Sequence, residues 1–303
     1  MDLGETQLSG DLSDIQNNGL ILTKNTFDLP FPTGKNWKGT GILHLNAGTA
    51  PQKLVPGTYS NLTLSSTGGT IATGNVTVNG ILHLPAANAS STQGSLSMET
   101  FTLLMGPDGK NTGIGDVSGI ITRNSFVNNK LYTFGHPNSS ITFPPGGTLP
   151  TSMSAKLTIG AEPIWRAGAV KRYYDIIQTG ASATKALIRQ HYLDSELNSN
   201  VESKLSILAH TIPPLNTFDQ GRSNINTTDN WVAISNADIG LYLKNTFDQV
   251  YITLDEGAVS DLTWNGSEST SWITSANWSP AGVPSASTKV LIPMYLWLQI
   301  AIR

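Results

Sequence analysis

Two histidines are the residues whose type and setting most suggest chemistry. His44 and His83 occupy the same place in two copies of the pentapeptide Gly-Ile-Leu-His-Leu, which start at Gly41 and Gly80. Imidazole nitrogens bind Zn²⁺ at about 2.0 to 2.1 Å. A further copy of the strand, with Thr63 in the histidine position, lies between the two, so strands about 4.8 Å apart would place the two Cα atoms roughly 9 to 10 Å apart. We therefore predict solvent-facing histidines along a sheet rather than a metal site.

Acidic residues give no clear catalytic pair. Carbohydrate-cleaving enzymes need clustered carboxylates on one face. In the first 118 residues the acids are scattered and fall mostly in turn-forming stretches, with no two at outward strand positions on adjacent repeats. They include Asp28, Glu99, Asp108 and Asp116. The chain also lacks the Gly-x-Ser-x-Gly elbow of many hydrolases. We expect no enzymatic activity and no catalytic residues.

A second acidic group is a candidate calcium site. Asp194, Glu196 and Glu202, together with Asp175, offer the oxygen ligands that Ca²⁺ prefers. Their spacing matches no calcium-binding loop, and no Gly-Gly-x-Gly-x-Asp repeat is present in the sequence. We favour a solvated loop and predict no metal or other cofactor. Metal-dependent stabilisation of this region is the alternative.

Tryptophans near the C-terminus allow two interpretations. Trp264, Trp272 and Trp278 lie within 15 residues of one another. Exposed aromatic rings can stack on sugars, whereas buried ones fix the start of a β-structure. We favour the structural role, and sugar binding is the alternative.

Composition narrows the class of protein. Only 13% of the 303 residues are charged, the net charge is -3, and no cysteine is present. A typical soluble domain has about 25% charged residues. Thiolate chemistry and disulfides are excluded, and the sequence has no basic block to neutralise a phosphate backbone. Nucleic acid is therefore not an expected partner.

The two ends of the sequence bear on localisation. The start, from Met1 to Glu5, is polar and lacks the pattern of a signal peptide. The apolar stretch 291–302 contains Pro293 and Gln299 and is shorter than the roughly 20 residues of a membrane span. We predict no membrane span. Low charge and Asn-, Thr- and Ser-rich strands resemble exported surface proteins, so we expect a fragment of an extracellular or cell-surface protein.

A short apolar-polar-apolar strand is repeated from Gly41 to Thr122, in steps of 19, 20, 19 and 19 residues. A period of about 20 residues is that of one coil of a β-solenoid. Alternation predicts that the middle residue of each copy, including Ile121, points outward. A strand at Gly19-Leu20-Ile21-Leu22 is interpreted as an earlier coil. The copies are Leu43-His44-Leu45, Leu62-Thr63-Leu64, Leu82-His83-Leu84, Phe101-Thr102-Leu103 and Ile120-Ile121-Thr122.

Beyond Gly119 the period changes. About seven short apolar runs, separated by Pro, Gly and Asn clusters, extend to Ala209 and predict an Ig-like β-sandwich. Spacing of apolar residues over 197–208 also fits a helix face, but we favour a loop followed by a strand. Three more strands are expected within 231–234, 240–243 and 249–254.

Particular stretches also carry a family resemblance. Gly41 to Asn46, Pro56 to Leu64 and Gly74 to Gly80 resemble the repeats of large, secreted, adhesin-like surface proteins of the Bacteroidetes type. The segment from Gly135 to Leu197 is similar to the sandwich module of such proteins. Residues from Leu262 to Pro293, with their tryptophans and Val-Pro pair, closely resemble the motif that opens a fresh solenoid stretch, whereas 294–303 lack the Gly, Asn and Thr of a first coil.

The resemblance implies an all-β protein with a non-enzymatic structural or adhesive role. We divide it into a solenoid over 1–118, a β-sandwich over 119–260 and the start of a further repeat unit over 261–303. Surface glycans or neighbouring copies of the same or related surface proteins are the expected partners. The alternative is a carbohydrate-binding or carbohydrate-cleaving β-helix protein.

Overall fold

The chain is almost entirely β-structure, as predicted. A computed structural model describes residues 1–10, 14–27, 30–31, 35–85, 95–180, 185–211, 216–238, 249–256, 262–279, 281–284 and 290–292. Strands make up 51% of the chain, and the described residues include no helix of seven residues or more. Within those ranges, no helix is long and apolar enough to cross a bilayer.

The N-terminal part of the chain is a β-solenoid of about five coils. Its strands are β1 (Asp14–Gln16), β2 (Leu20–Thr23), β3 (Lys35–Lys38), β4 (Ile42–Leu45), β5 (Gln52–Leu54), β6 (Gly57–Tyr59), β7 (Asn61–Leu64), β8 (Thr70–Ala72), β9 (Val76–Val78), β10 (Ile81–Leu84), β11 (Leu96–Met105), β12 (Lys110–Gly113) and β13 (Val117–Asn124). All pairs among these strands are parallel. The predicted solenoid is confirmed.

The strands of one coil belong to different faces of the solenoid. In the first sheet the order is β12-β10-β7-β4-β2, whereas β1, β3, β6, β9, β11 and β13 follow one another in the second. β5 and β8 pair with each other, and β8 also pairs with the start of β11. The earlier coil is confirmed, because Leu20 lies opposite Ile42 in a parallel pair.

Alternation along the first sheet separates core from surface. Leu43, Leu62 and Leu82 are in register and are buried. Between the buried positions, His44 and His83 lie on the outer face, as predicted. Because each coil has only a narrow apolar row, the coils complete a core by stacking on one another.

Asparagine side chains connect neighbouring coils at a corner. Asn61 donates through Nδ2 to the carbonyl oxygen of Thr40 at 3.0 Å and accepts through Oδ1 from the backbone N–H of Ile81 at 2.8 Å. Asn17 repeats part of this pattern, donating to the carbonyl oxygen of Ile42 at 3.2 Å. Backbone groups at a bend have no ladder partner and need such hydrogen bonds. Asn61 and Asn17 therefore have a structural role at this corner.

The last two copies of the predicted ladder lie on the second sheet, so this part of the prediction was wrong. Leu103 pairs with Val76 of β9 rather than following Leu82 in the first sheet. The position beside Leu82 is taken by Asn111 of β12. An apolar pattern does not reveal β12, since its inward residue is polar. The side-chain Oδ1 of Asn111 accepts hydrogen bonds from Thr133 and Gly135.

The predicted outward orientation of Ile121 is also wrong. On the second sheet Ile121 lies opposite Leu103, and both side chains are 0% exposed. Which residues of β13 point inward is set by its pairing with β11, not by extending the inward and outward pattern of the first sheet. Ile121 therefore belongs to the core, and its neighbour Ile120 is only partly buried.

Gly113 allows the coil to close at the end of β12. Its φ is +93°, and a Cβ there would lie 2.0 Å from the carbonyl oxygen of Leu84. We expect Gly113→Ala to lower the free energy of unfolding by at least about 3 kcal/mol, from left-handed strain plus overlap. Urea denaturation measures the change.

Gly48 provides the matched control for that substitution. It also has a positive φ, +69°, but a Cβ would have no atom within 4 Å. Gly48→Ala should cost only about 1 to 2 kcal/mol of strain. Equal costs at Gly48 and Gly113 would contradict the close approach of the coils.

The second part of the chain contains antiparallel strands. They are β14 (Leu131–His136), β15 (Ser139–Thr142), β16 (Ser152–Ile159), β17 (Arg172–Thr179), β18 (Lys185–His191), β19 (Ser206–Thr211), β20 (Asn216–Gly221), β21 (Asn224–Asn226), β22 (Trp231–Asp238) and β23 (Gln249–Asp255). Two 3-10 turns, Asp194–Glu196 and Glu202–Lys204, precede β19, so the loop-and-strand interpretation is confirmed there. The strand predicted over 240–243 lies outside the described residues.

These strands form two sheets, one of which continues the solenoid. β13 pairs in parallel with β11 and antiparallel with β16, so one sheet runs through to β17, β23, β19 and β20. The other has the order β14-β15-β18-β22-β21. Both sheets contribute to one buried cluster, for example Phe134 from one and Val250 from the other. The proposed boundary between 118 and 119 falls within β13, and the Ig-like sandwich stays a prediction.

A small sheet follows near the C-terminus. It consists of β24 (Leu262–Trp264), β25 (Trp278–Ser279) and β26 (Val290–Leu291), and a 3-10 turn, Ser275–Asn277, leads into β25. β24 pairs antiparallel with β25 and parallel with β26. Residues 294–303 lie outside the described part of the chain.

Candidate functional site

The two histidines of the solenoid each have a hydroxyl neighbour. His44 Nε2 lies 2.7 Å from Ser65 Oγ, and His83 Nδ1 lies 2.9 Å from Thr112 Oγ1. Partial burial, followed by the influence of His83, lowers the pKa of His44. Among the described residues no cluster of three or more metal-binding side chains is found.

The acids of the candidate calcium site have separate partners. Asp175 accepts from Gln249, Glu202 accepts from Tyr192, and Asp194 accepts from Asn230. The fourth carboxylate, Glu196, is buried beneath the surface. The solvated-loop interpretation is therefore wrong for Glu196, because this side chain pairs with an arginine distant in sequence.

That arginine, Arg172 on β17, is the centre of a buried ionic cluster. Its Nη1 and Nη2 donate to the two carboxylate oxygens of Asp116 at 2.8 and 2.7 Å. Its Nε and Nη2 donate to Glu196 at 2.7 and 3.0 Å. The Arg172 side chain is 0% exposed. Asp116 directly precedes β13, so the cluster joins the last solenoid strand to β17 and to the 3-10 turn Asp194–Glu196.

Charge pairing sets the protonation of the cluster. Burial alone would raise the pKa of Asp116, but Arg172 outweighs that effect and lowers it to about 2. Burial likewise acts to lower the pKa of Arg172, and the Asp116 carboxylate reverses this and raises it. One cation between two carboxylates is the expected state at neutral pH. Sequence reasoning missed this group, because Asp116 and Arg172 are 56 residues apart.

A stacked pair of histidines lies next to the cluster. The rings of His136 and His191 are 3.6 Å apart between centroids and nearly parallel, at 6°. His136 Nδ1 accepts from the Asn138 backbone N–H, and His191 Nδ1 donates to the Asn230 carbonyl. Burial is the largest cause that lowers their pKa values, to about 4 and about 3. Both rings are therefore neutral at pH 7.

The same region contains Ser139, so its residue types invite comparison with a hydrolase triad. Ser139 Oγ is, however, 2.5 Å from the hydroxyl of Tyr174. The His191 Nδ1 proton is directed to a backbone carbonyl rather than to a carboxylate, unlike the histidine of a triad. Ser139 and Asp116 are also buried. The arrangement holds the fold together and leaves no accessible nucleophile.

Arg123 serves as a second buried cation at the junction. It is 1% exposed and donates to the carbonyl oxygens of Thr133, Gly106 and Gly109 at 2.8, 3.2 and 2.8 Å. Burial lowers its pKa to about 10. Through these carbonyl oxygens the guanidinium links β13 to the turn before β12 and to β14.

Stability should fall in mild acid because of the histidine pair. Unfolded histidine titrates near 6.5, whereas His136 and His191 in the folded chain titrate at about 4 and about 3. As the pH drops below 6.5 the unfolded chain takes up protons that the folded chain does not, so the free energy of unfolding decreases. Below about 3.8 the low pKa of Asp116 adds a further loss in the same direction.

We expect a decrease on the order of a few kcal/mol between pH 7 and pH 4. Urea denaturation at the two pH values measures it. The double variant H136Q/H191Q should show a smaller dependence on pH, and H83Q, on the outer face, should behave like wild type. A double variant with the wild-type dependence would assign the acid sensitivity to other groups.

The tryptophans form a compact cluster of their own. Trp264 and Trp272 are stacked, with centroids 5.8 Å apart, and Trp278 meets both edge-on. Asn277 fixes the loop before it, since its Oδ1 accepts from the backbone N–H groups of Glu268 and Ser269. Trp264 and Trp278 are buried, while Trp272 is 45% exposed. Two rings thus have the structural role and one presents surface to solvent.

A pocket lies beside this cluster and has a volume of about 110 Å³. The loop between β20 and β21 and strand β22 form one side, and the small C-terminal sheet forms the other. It combines an indole, a guanidinium, hydroxyls and an amide. Its lining includes Arg222, Ser223, Ser235, Trp264, Asn265 and Ser279.

A smaller, apolar cavity of about 60 Å³ lies between the two large sheets. Phe134 and Ile252 are among its walls. Gln190 also borders it, and neither amide atom of this buried side chain has a hydrogen-bond partner. The cavity has room for a few water molecules, so it is a packing defect rather than a site for a larger ligand.

Comparison with protein-family models, with curated proteins and with solved structures found no match to this chain.

Proposed function

We propose that this chain is a non-enzymatic structural or adhesive segment of an extracellular surface protein. The observation that carries the proposal is the continuous sheet, which passes from parallel coils to antiparallel strands through β13. Buried charges at the junction are used to connect elements, with Arg172 holding both Asp116 and Glu196. A β-scaffold with side chains such as His44 and His83 on its outer face suits the presentation of a surface outside a cell.

Localisation tests the proposal directly. Intact cells that produce the protein are treated with a non-permeant protease, and the chain is followed with an antibody beside a cytoplasmic control protein. We expect cleavage of this chain while the control stays intact. Protection of the chain until the cells are lysed would overturn the extracellular assignment.

Carbohydrate binding is the second candidate function. It is favoured by the half-exposed Trp272 and by the pocket beside Trp264, which pairs an aromatic wall with polar side chains. Sugars are bound through such pairings, since the ring carbons pack on an indole while hydroxyls form hydrogen bonds.

A glycan array provides the measurement for this candidate. If Trp272 contributes to binding, wild-type protein should bind a subset of glycans and Trp272→Ala should lose at least about tenfold in affinity, equivalent to about 1.4 kcal/mol. Ile273→Ala is the matched control, because the neighbouring Ile273 is even more exposed, at 75%, and lacks a ring. No binding to any glycan would leave the structural role alone.

A further inference from the structure

Arg222 contributes a positive charge to the wall of the pocket beside the tryptophans. Its Nη1 donates to the carbonyl oxygens of Ser203 and Leu205 at 2.6 and 2.9 Å. These contacts hold the guanidinium against the 3-10 turn Glu202–Lys204. Among the described residues no carboxylate forms an ion pair with Arg222. Arg172 and Arg123 are fully enclosed by carboxylates or backbone carbonyls, whereas the partly buried Arg222 borders an open pocket.

The positive charge favours an anion. Burial lowers the pKa of Arg222, and no acidic group of the described residues acts to raise it again. The guanidinium still carries its charge at pH 7, because free arginine titrates far above neutrality. Planar guanidinium groups bind carboxylates through two parallel hydrogen bonds, with specificity for that geometry.

The remaining walls match a polyhydroxylated ring. Trp264 is 5% exposed and contributes only a small apolar area to the wall, while Ser223, Ser235 and Asn265 contribute groups that can both donate and accept hydrogen bonds. The last three side chains are exposed and mark the open side of the pocket. The hydroxyls of Ser223 and Ser235 lie 3.1 Å from each other, and Asn265 Oδ1 accepts from the backbone N–H of Ser267. Ser235 Oγ and the amide nitrogen of Asn265 keep further hydrogen-bonding capacity, which the hydroxyls of a sugar can use.

The volume sets which part of the ligand enters. About 110 Å³ is somewhat less than the roughly 150 Å³ cavity that accommodates a benzene ring. One end of a sugar ring therefore fits, and the rest of an oligosaccharide continues into solvent past the exposed Ser235.

We propose that this pocket binds a carboxylate-bearing sugar of an acidic glycan, with Arg222 on the carboxylate and the small exposed part of Trp264 beside the ring. The inference deepens the carbohydrate-binding candidate and rests on it.

Titration calorimetry with matched oligosaccharides tests the inference. The probes are galacturonate, glucuronate and mannuronate oligomers and their methyl esters, which keep every hydroxyl but lose the charge. Wild-type protein should bind at least one acid form, and its methyl ester should bind at least tenfold more weakly. Arg222→Gln should cause a similar loss, while Lys53→Gln, which removes the same charge on the solenoid, should have no effect.

A second variant distinguishes loss of the Arg222 charge from misfolding of the Arg222→Gln protein. Ser235→Trp keeps the guanidinium, alters an exposed position and obstructs the mouth of the pocket, so it too should abolish binding. Equal binding of acid and ester would overturn the acidic specificity and leave carbohydrate binding standing. If neutral and acidic glycans all fail to bind, both proposals are overturned. If both Arg222→Gln and Ser235→Trp bind with wild-type affinity, the ligand binds elsewhere and the assignment of binding to this pocket is overturned.

Discussion

Arg172→Met is expected to lower the free energy of unfolding by about 3 to 5 kcal/mol. The substitution leaves Asp116 and Glu196, 5% and 3% exposed, without their cation inside the protein. Their attraction to Arg172 compensates for the loss of hydration, and removing one partner leaves that cost uncompensated. Urea denaturation, followed by tryptophan fluorescence at pH 7, measures the change without added salt.

Lys130→Met is the control for the loss of a positive charge. Lys130 pairs with Asp108 at 2.6 Å, but Asp108 is 89% exposed, so the cost should be far smaller than that of Arg172→Met. A second test replaces all three charges at once, as R172M/D116L/E196M, which should recover part of the lost stability because no carboxylate is then left unpaired. If Arg172→Met costs no more than Lys130→Met, the buried cluster does not stabilise the junction.

Ile121→Ala is expected to cost about 2 to 5 kcal/mol. The fully buried side chain packs in the ladder of Leu103 and Val76, and truncation leaves a cavity between coil and antiparallel strands. The matched control is Ile120→Ala, the same change one residue earlier on the outer side, which should cost less than about 1 kcal/mol. If Ile121 pointed outward, as predicted from the sequence, Ile120→Ala would instead be the more costly substitution.

Much of the architecture could be predicted from alternation alone. Leu43, Leu62 and Leu82 lie at nearly constant spacing because each begins the same face of a coil, and the flanking polar residues mark the opposite face. The third step of the repeat, from Leu82 to Phe101, misled the prediction for a physical reason. β12 has Asn111 at its inward position, so the next apolar triplet at the same spacing came from a different sheet.

The candidate site was only partly predictable. Tryptophans stand out by type, so the cluster around Trp264 was found, although its mixture of buried and exposed rings was not. Arg222 carries no signal in sequence, because a single arginine in a loop has neither a period nor a motif. Long-range pairs such as Arg172 with Asp116 depend on how the second sheet passes from the solenoid into β17, which composition does not specify.

The dual pairing of β13 also affects association between molecules. A β-solenoid that ends in an unpaired strand offers a row of free N–H and C=O groups, to which another chain can add and continue the stack. Here the outer edge of β13 is occupied by β16, running in the opposite direction. The edge of the second solenoid sheet is therefore closed at this end, whereas β12 is the last strand of the first sheet. The strand that joins the two parts also keeps one sheet edge from pairing with another chain.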